Sequence, residues 1–272
     1  MKAKHARARK FPWGLIVFLL AVFSIAAGVF ALFHYDLVKI PEAAPTTTTT
    51  TSSTVTATTT TSVTTTTTAF TTTTVKTYAT VQNGNVVFPD TLFIGDSRTV
   101  GLSLYGQISG ADFFSANTMS SFNVLTSKVN MLGLGETTLE KLLNKKTYTT
   151  IYVMFGINEI GSTTDAIVAR YQALLDKLTT LQPRANIILQ STFHVRDDKQ
   201  NEKNGLTNKR IDALNTRLAA LADNTTVYYL NVTPVFDNEN GAMDKQYSTD
   251  GIHCYSKNYP LWRDYLMKQA RN

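Results

Sequence analysis

Cysteine is almost absent from this sequence, which contains one, Cys254, among 272 residues. A single cysteine excludes an internal disulfide and a thiolate zinc site. No group of histidine, cysteine and acidic residues has the spacing of metal ligands either. The glycine-rich stretch 133–138 (GLGETT) lacks the lysine and the spacing of a phosphate loop. We therefore expect neither a metal nor an organic cofactor.

A general excess of positive charge is missing too, although the formal net charge is +6. Basic residues are concentrated in the first ten positions, at Lys2, Lys4, Arg7, Arg9 and Lys10. The rest of the chain has 21 basic residues against 20 acidic ones, so it is nearly neutral. No basic stripe remains that could follow a phosphate backbone. We do not expect a nucleic-acid partner.

Charge is absent altogether from residues 11–33. At 1.5 Å per residue this segment reaches about 34 Å, which is enough to cross a bilayer core of about 30 Å. It is longer than the apolar part of a secretory signal, so we expect a retained single-pass anchor, with cleavage within 41–45 (PEAAP) as the alternative. The basic arm 1–10 then stays in the cytoplasm, and the chain beyond the anchor lies outside the cell.

Residues 46–74 are nearly all threonine. Such a segment has little apolar area to bury against the entropy of ordering it. We predict that 34–85 is a disordered extracellular stalk, either bare or glycosylated. The folded domain is then predicted to span 86–272, which is long enough for a core without disulfides.

From about residue 80 the chain alternates between short apolar runs and helical patterns. Strands are predicted at 91–95, 112–116, 150–156, 186–191 and 227–232. Helices are predicted at 137–146, 165–181, 208–222 and 256–270. In the first of these helices Thr137 and Glu140 have the spacing of a capping box. The alternation predicts a central parallel sheet of about five strands with helices on both faces.

Gly95, Asp96 and Ser97 follow the first predicted strand. They are explained by an ordinary strand-to-helix turn, in which Asp96 or Ser97 caps the next helix. They are also explained by a nucleophilic serine, because ligands of parallel α/β sheets bind at the carboxyl ends of strands. The triplet alone does not decide between these interpretations.

A serine nucleophile requires a base and a group that orients the base. His253 follows the last strand, and Asp250 precedes it by three residues, so a short loop presents both side chains to one site. His194, after the fourth strand, is the other candidate base. Asp197 and Asp198 follow it, but no acid is comparably placed. We therefore favour His253.

Asn158 follows the third strand, in the stretch 154–161 (MFGINEIG). Its side-chain amide is suited to donate a hydrogen bond to an oxyanion. Gly156 lets the backbone approach a ligand closely. Taken alone, these residues are better explained by a simple turn with asparagine in the left-handed conformation.

Three motifs thus lie at strand ends in a fixed order: Gly95-Asp96-Ser97, Gly156-x-Asn158 and Asp250-x-x-His253. Together they resemble the SGNH, or GDSL-type, hydrolase family over about residues 86–270. The resemblance implies a three-layer α/β/α, flavodoxin-like domain in which Ser97 is the nucleophile, His253 the base and Asp250 the orienting acid. It also implies an oxyanion hole formed by the backbone N–H of Ser97 and the side chain of Asn158.

The likeness is incomplete after the second strand. The family usually has a glycine there whose N–H is a further oxyanion donor, whereas in this sequence Thr118, or alternatively Asn117, occupies the place. Glu159 stands where the family often has aspartate. Arg98 and Gly156 are candidates for contact with substrate, although Arg98 is equally well explained as a solvated residue at a helix start.

The resemblance implies a serine ester hydrolase. The polar loop 236–251 and the long tether favour acetyl or other short acyl groups on cell-envelope or extracellular glycans as the substrate, and we expect no exposed apolar rim around the site. Three alternatives stay open. They are transfer of the acyl group to a glycan hydroxyl, a lipase- or thioesterase-like hydrolase, and a non-catalytic wall-binding module.

Overall fold

The computed structural model describes residues 79–82 and 85–270, in which strands alternate with helices. The strands are β1 Thr80–Gln82, β2 Asn85–Gly95, β3 Ile108–Ser115, β4 Lys128–Met131, β5 Gly135–Thr138, β6 Thr150–Met154, β7 Asn186–Gln190 and β8 Val227–Leu230. The helices are α1 Ser97–Tyr105, α2 Leu139–Lys145, α3 Thr164–Leu181, α4 Asn208–Ala219 and α5 Tyr259–Ala270. Short 3-10 turns occur at 197–199, 202–204, 233–235, 245–247 and 256–258.

Parallel strands form the body of the main sheet, in the order β3-β2-β6-β7-β8. Counted along the chain these are the second, first, third, fourth and fifth parallel strands, which is the flavodoxin-like order. The order reverses at β2, so the loop after β2 lies where such sheets bind ligands. The predicted three-layer α/β/α fold with about five parallel strands is confirmed.

Alternation along the strands divides the core between the two faces of the sheet. In β2, Leu92 and Ile94 pack in a buried cluster with side chains of α2, α3 and α4. Phe93 points to the opposite face, where it shares a cluster with Leu102 of α1 and Trp262 of α5. Both faces are therefore covered, and the site has to lie at an edge of the sheet.

The folded domain begins earlier than predicted. Strand β1 and Asn85 lie within the segment 34–85 that we expected to be stalk, and β1 pairs antiparallel with the start of β2. All the residues of β1 are exposed, so backbone hydrogen bonds rather than apolar burial hold this strand, and no hydrophobic pattern marks it. The predicted arm 1–10, the anchor 11–33 and the stalk up to residue 78 lie outside the described residues. Within 79–82 and 85–270, no helix has the length and apolar character needed to span a bilayer.

A second, two-stranded sheet was missed by the sequence analysis. Strands β4 and β5 form an antiparallel hairpin in which Thr137 pairs with Val129. Helix α2 therefore starts after Thr138, whose hydroxyl accepts a hydrogen bond from the N–H of Lys141 at 3.3 Å. The predicted capping box of Thr137 and Glu140 is wrong, because Thr137 lies within β5 and the next residue, Thr138, caps α2.

Candidate active site

The turn from β2 into α1 brings Ser97 to the carboxyl edge of the sheet. Gly95 ends β2, and a Cβ atom at this position would collide with the hydroxyl of Thr99 and lie 2.7 Å from the carbonyl oxygen of Met154. Only glycine therefore allows β2, α1 and β6 to approach this closely. Ser97 is the first residue of α1, where backbone N–H groups have no acceptor within the helix.

Asp96 and Arg98 are structural residues on either side of Ser97. Asp96 caps α1 by accepting a hydrogen bond from the N–H of Arg98 at 3.0 Å, and it also binds the Arg98 guanidinium through Nε at 3.0 Å and Nη2 at 2.6 Å. Both side chains are buried, with 3% and 0% of Arg98 and Asp96 exposed. The expectation that Arg98 contacts substrate is wrong, because its guanidinium is buried and paired with the Asp96 carboxylate.

Ser97 is connected to His253 and Asp250 by two short hydrogen bonds. Ser97 Oγ lies 2.7 Å from His253 Nε2, and His253 Nδ1 lies 2.8 Å from Asp250 Oδ2. The structure thus brings Ser97 into contact with the pair Asp250 and His253, which lies more than 150 residues further along the chain. The serine is half-buried, and the imidazole is 40% exposed, so solvent and ligands reach both.

A tight turn fixes Asp250 relative to His253. Asp250 Oδ1 accepts hydrogen bonds from the backbone N–H groups of Ile252 at 2.9 Å and His253 at 2.8 Å. Burial opposes ionisation, but these N–H groups and the His253 ring lower the pKa of Asp250 to about 2. Asp250 is therefore a carboxylate at neutral pH, and it holds the imidazole with Nδ1 protonated and Nε2 free to accept a proton.

Two residues that the sequence analysis did not identify support this turn. Arg196 Nη1 donates to the carbonyl oxygens of Ser248 and Thr249, both at 2.9 Å. The Ser248 hydroxyl donates to the carbonyl oxygen of His253 at 2.6 Å and accepts from the N–H of Gly251 at 2.8 Å. No sequence signal points to Arg196, because it is 54 residues before Asp250 and belongs to a different loop.

Asn158 follows β6 and lies beside Ser97 at the mouth of the site. Its Nδ2 donates to the carbonyl oxygen of Met119 at 2.8 Å and to that of Asn117 at 3.2 Å. The amide is therefore oriented by the loop after β3. Within that loop Asn117 lines the site together with Ser97 and Asn158, whereas Thr118 is exposed and lines neither part of the cleft described below.

Glu159 is hydrogen-bonded to the same loop after β3. Its Oε1 accepts a hydrogen bond from the N–H of Ser121 at 2.8 Å, and 6% of the residue is exposed. Burial raises the pKa of Glu159, and the N–H of Ser121 and the charge of Arg98 only partly offset it. Asn158 and Glu159 are thus consecutive residues that hold residues 117–121 by side-chain hydrogen bonds.

Gly156 is a backbone residue of the site rather than a contact with substrate. It has φ of +130°, a conformation open to glycine, and a Cβ atom here would lie 2.8 Å from Leu214 Cδ2 and collide with the Thr192 hydroxyl. Gly156 is buried and lines neither part of the cleft. The prediction that it contacts substrate is wrong, because its close approach is to Thr192, just after β7, and to Leu214 of α4.

His194, the other candidate base, has a separate environment. Its Nδ1 lies 2.9 Å from Asp237 Oδ2 and its Nε2 lies 2.9 Å from Asp212 Oδ1. Burial works against protonation, but these two carboxylates raise the pKa of His194 to about 9. The sequence analysis did not foresee these acids. Both ring nitrogens of His194 are occupied, so it cannot serve Ser97 as a base.

Two adjoining spaces meet at Ser97, Asn158 and His253. The first, here called the aliphatic lobe, has a volume of about 350 Å³ and is completed by Ile157, Ile160, Gly161, Asn204, Leu206 and Ile252. The second, the aromatic lobe, has a volume of about 550 Å³ and is completed by Val100, Gly101, Leu104, Tyr105, Asn117, Cys254 and Tyr259. A bound ester therefore has room on two sides of the Ser97 hydroxyl.

The aromatic lobe has an apolar rim, contrary to expectation. Leu104 is 65% exposed and Tyr105 is 47% exposed. These residues are not in a loop but on α1, the helix that begins at Ser97. Cys254 lines the same lobe, and burial raises the pKa of its thiol to about 12, so the thiol stays protonated and acts as a packing group.

Comparison with known proteins agrees with this architecture. A model of the GDSL-like lipase/acylhydrolase family matches residues 93–258. No curated protein matches the chain.

Among solved structures the chain is similar to a Streptococcus pneumoniae protein named as a platelet activating factor, with 20% identity and a TM-score of 0.53 over 67% of this chain and 84% of that one. It is also similar to a GDSL-like lipase from Parabacteroides merdae, with 14% identity and a TM-score of 0.52 over 68% and 95% of the two chains. A third similar structure is the lipase Lip_vut3 from a goat rumen metagenome, with 17% identity and a TM-score of 0.50 over 66% and 96%. At these identities the structures support the fold alone.

Proposed function

Because this chain belongs to the GDSL-like lipase/acylhydrolase family, we propose that Ser97, His253 and Asp250 are the catalytic residues of an enzyme that removes acetyl or other short acyl groups from cell-envelope or extracellular glycans. Family membership by itself makes the protein a serine ester hydrolase in general. The observation that carries the assignment of residues is the chain of hydrogen bonds, 2.7 Å and 2.8 Å long, from Ser97 through His253 to Asp250.

The geometry accounts for both halves of an ester hydrolysis. Ser97 Oγ bonds to the ester carbonyl carbon while its proton passes to His253 Nε2, and collapse of the tetrahedral intermediate breaks the bond to the leaving oxygen. The proton then leaves with the alcohol. Water attacks the acyl-serine, gives a proton to His253, and releases the acid with Ser97 restored. Asp250 stabilises the imidazolium in both steps without taking up its proton.

The oxyanion would lie between the start of α1 and Asn158. The N–H of Ser97 is unpaired within the helix, and the helix dipole places partial positive charge there. Of the two hydrogen bonds made by the Asn158 amide, the one to Asn117 at 3.2 Å is the longer, and an oxyanion would replace it. An N–H from the loop after β3 would be a third donor, and the lining of the cleft favours Asn117 over Thr118 for it.

The aliphatic lobe, at about 350 Å³, has room for an acetyl or other short acyl group. A glycan substrate is supported by the sequence beyond the domain. Residues 11–33 would anchor the protein in the membrane, with the domain outside, and about 40 intervening residues would span roughly 35 Å as a flexible coil. Such a tether lets the domain reach polymer that surrounds the cell rather than the bilayer itself.

A lipase is the second candidate, and the apolar rim is what favours it. Leu104 and Tyr105 present apolar surface beside Ser97, which a long acyl chain could use. The aromatic lobe is also the larger of the two, at about 550 Å³. The two candidates therefore differ in the length of the acyl group and in the alcohol that is released.

Release of acetate from glycans tests the proposal. The purified full-length chain should release more acetate from O-acetylated wall polymer or xylan than from the de-esterified polymer, and Ser97→Ala should release none. Acetyl should be preferred over octanoyl in a series of aryl esters. A marked preference for octanoyl, with no acetate from any glycan, would establish the lipase instead.

A further inference from the structure

Helix α1 places a continuous stripe of residues next to the nucleophile. Ser97, Val100, Gly101, Leu104 and Tyr105 are spaced at i, i+3, i+4, i+7 and i+8, so they share one face of the helix. All five line the aromatic lobe. The residues that follow the nucleophile by one to two turns therefore form the wall along which a substrate would lie.

The far end of this wall is a supported aromatic ring. Tyr259 fills the space above Gly101, where any Cβ atom would collide with the Tyr259 ring. The rings of Tyr105 and Tyr259 are 5.8 Å apart between centroids and tilted by 35°. Tyr105 is thus backed by a buried ring while 47% of it stays exposed. An exposed ring held in this way offers a flat apolar face at low entropic cost.

Asn117 adds an exposed amide group to this lobe that the aliphatic lobe does not have. An aromatic face next to amide donors and acceptors matches a pyranose, which has apolar C–H faces and a rim of hydroxyl groups. A long acyl chain would offer no hydrogen bond to the Asn117 amide, whereas the hydroxyl groups of a sugar would. The chemistry of this lobe therefore suits a sugar.

The aliphatic lobe has aliphatic side chains where the aromatic lobe has tyrosine rings. Ile157, Ile160, Leu206 and Ile252 supply four of its walls, and no aromatic residue lines it. Two amides line this lobe, Asn158, which also lines the aromatic lobe, and Asn204, which does not. These aliphatic side chains can pack against a methyl or a short alkyl group.

We propose that the two lobes divide the ester between them, with the acyl group in the aliphatic lobe and the sugar that carries it stacked on Tyr105 in the aromatic lobe. Both lobes border His253, so in this orientation the leaving oxygen stays within reach of Nε2. The assignment rests on the proposed function, since it presumes an acylated sugar as the substrate. In this assignment Tyr105 sets the preference for the alcohol part of the ester, and Leu206 limits the length of the acyl group.

A crossed comparison of two variants tests this assignment in the full-length chain. Tyr105→Ala and Leu206→Ala are assayed on an alcohol series, ethyl acetate against acetylated xylo-oligosaccharide, and on an acyl series, the p-nitrophenyl esters of acetate, butyrate and octanoate. Tyr255→Ala and Leu181→Ala are the matched controls. Tyr255 is 39% exposed and Leu181 is half-buried, and neither lines the cleft.

The two variants should change different series. Tyr105→Ala should lower the ratio of kcat/KM for the acetylated sugar to that for ethyl acetate by about threefold to tenfold, the range expected for loss of an aromatic contact. Leu206→Ala should raise the ratio of butyrate to acetate by about tenfold or more, because space for one or two methylenes is opened. The control variants should leave both ratios as in the wild type.

The reverse pattern would overturn the assignment. If Tyr105→Ala changes the acyl series and Leu206→Ala the alcohol series, the lobes are exchanged and the acyl chain binds on α1, as a lipase would require. If neither ratio moves, the lobes do not contact the ester. The proposed function is judged separately, by whether the wild-type chain cleaves the acetylated sugar at all. If it does not, the glycan proposal and the role of Tyr105 toward sugars both fail, and the acyl series still decides the role of Leu206.

Discussion

Asp96, Ser97 and Arg98 are neighbours in the chain, but packing gives them different environments. The helix geometry turns Ser97 toward the cleft, while Asp96 and Arg98 pair beneath it with almost no exposed surface. An arginine next to a nucleophile is therefore no guide to substrate charge when a buried carboxylate lies within 3 Å of it. At the scale of single residues, burial decides which side chains can meet a ligand.

Glu159 is the residue whose contribution to activity is easiest to separate from a general effect on folding. Glu159→Gln keeps an oxygen that can accept from the N–H of Ser121, so kcat should stay within about threefold of wild type. Glu159→Ala leaves that N–H unpaired and frees the loop after β3, and a lost hydrogen bond of about 1–3 kcal/mol predicts a fall in kcat of about tenfold or more. KM should change little, because Glu159 does not line the cleft.

Active-site titration alongside the kinetics provides the control for this prediction. The kcat values are referred to the concentration of sites that a phosphonate inhibitor labels, and thermal unfolding is followed for each variant. If Glu159→Ala unfolds at a lower temperature but keeps wild-type kcat per labelled site, Glu159 is a packing residue and does not position the oxyanion loop.

The hydrogen-bonded chain of Ser97, His253 and Asp250 could be predicted from sequence, and the residues that support it could not. Ser97, Asp250 and His253 each follow a strand, and the carboxyl ends of parallel strands meet at one edge of the sheet. Arg196 and Ser121 contribute through contacts that no local pattern encodes, since each reaches its partner across loops. Thr118 and Asn117 are adjacent, and only the path of the loop shows which of them borders the cleft.

At the scale of elements, His194 joins three parts of the fold. It lies after β7 and binds Asp212 on α4 and Asp237 in the loop after β8. With a pKa of about 9 the imidazole is protonated at neutral pH and donates from both nitrogens. The contact therefore couples the end of the sheet to a helix and to the segment that leads toward Asp250.

This contact predicts a loss of stability in alkali. The pKa of His194 is raised from about 6.5 in the unfolded chain to about 9 in the fold, so its contribution is complete below about pH 6.5 and disappears as the pH rises through 9. Between pH 6 and pH 10 the free energy of unfolding should fall by about 3 kcal/mol more in the wild type than in His194→Gln, which lacks the titration.

Urea unfolding at both pH values measures this difference directly. Subtracting the variant removes the titration of lysine and tyrosine side chains, which both proteins share. Equal pH dependence in the two proteins would mean that Asp212 and Asp237 do not hold His194 in its charged form.

At the scale of the whole molecule, the periodic elements were predicted well and the irregular ones were not. The five parallel strands and the helices α3, α4 and α5 have strong apolar patterns and appear within a few residues of the expected positions. Strand β1 is wholly exposed, and the hairpin of β4 and β5 buries only isolated side chains such as Met131 and Thr137, so neither has such a pattern. Hydrophobic periodicity reports what is buried, so it cannot find elements that stay exposed.

The proposed topology predicts a tethered extracellular domain. The full-length protein should sediment with membranes and resist extraction by carbonate, since 23 uncharged residues at 11–33 would cross the bilayer. Protease added to intact protoplasts should release the domain by cutting between residues 45 and 79. A domain that is protected in intact protoplasts and cut only after lysis would reverse the orientation inferred from the basic arm.

Covalent labelling at Ser97 tests the central claim most directly. The wild-type chain is incubated with a fluorophosphonate, and its mass and the labelled peptide are determined by mass spectrometry. We predict one phosphonate per chain, bound to Ser97 Oγ, with loss of esterase activity in proportion to labelling and no label in Ser97→Ala. Labelling is also predicted to slow strongly in His253→Ala, which lacks the base. Stoichiometric labelling at a different residue, or wild-type turnover by Ser97→Ala, would contradict the account.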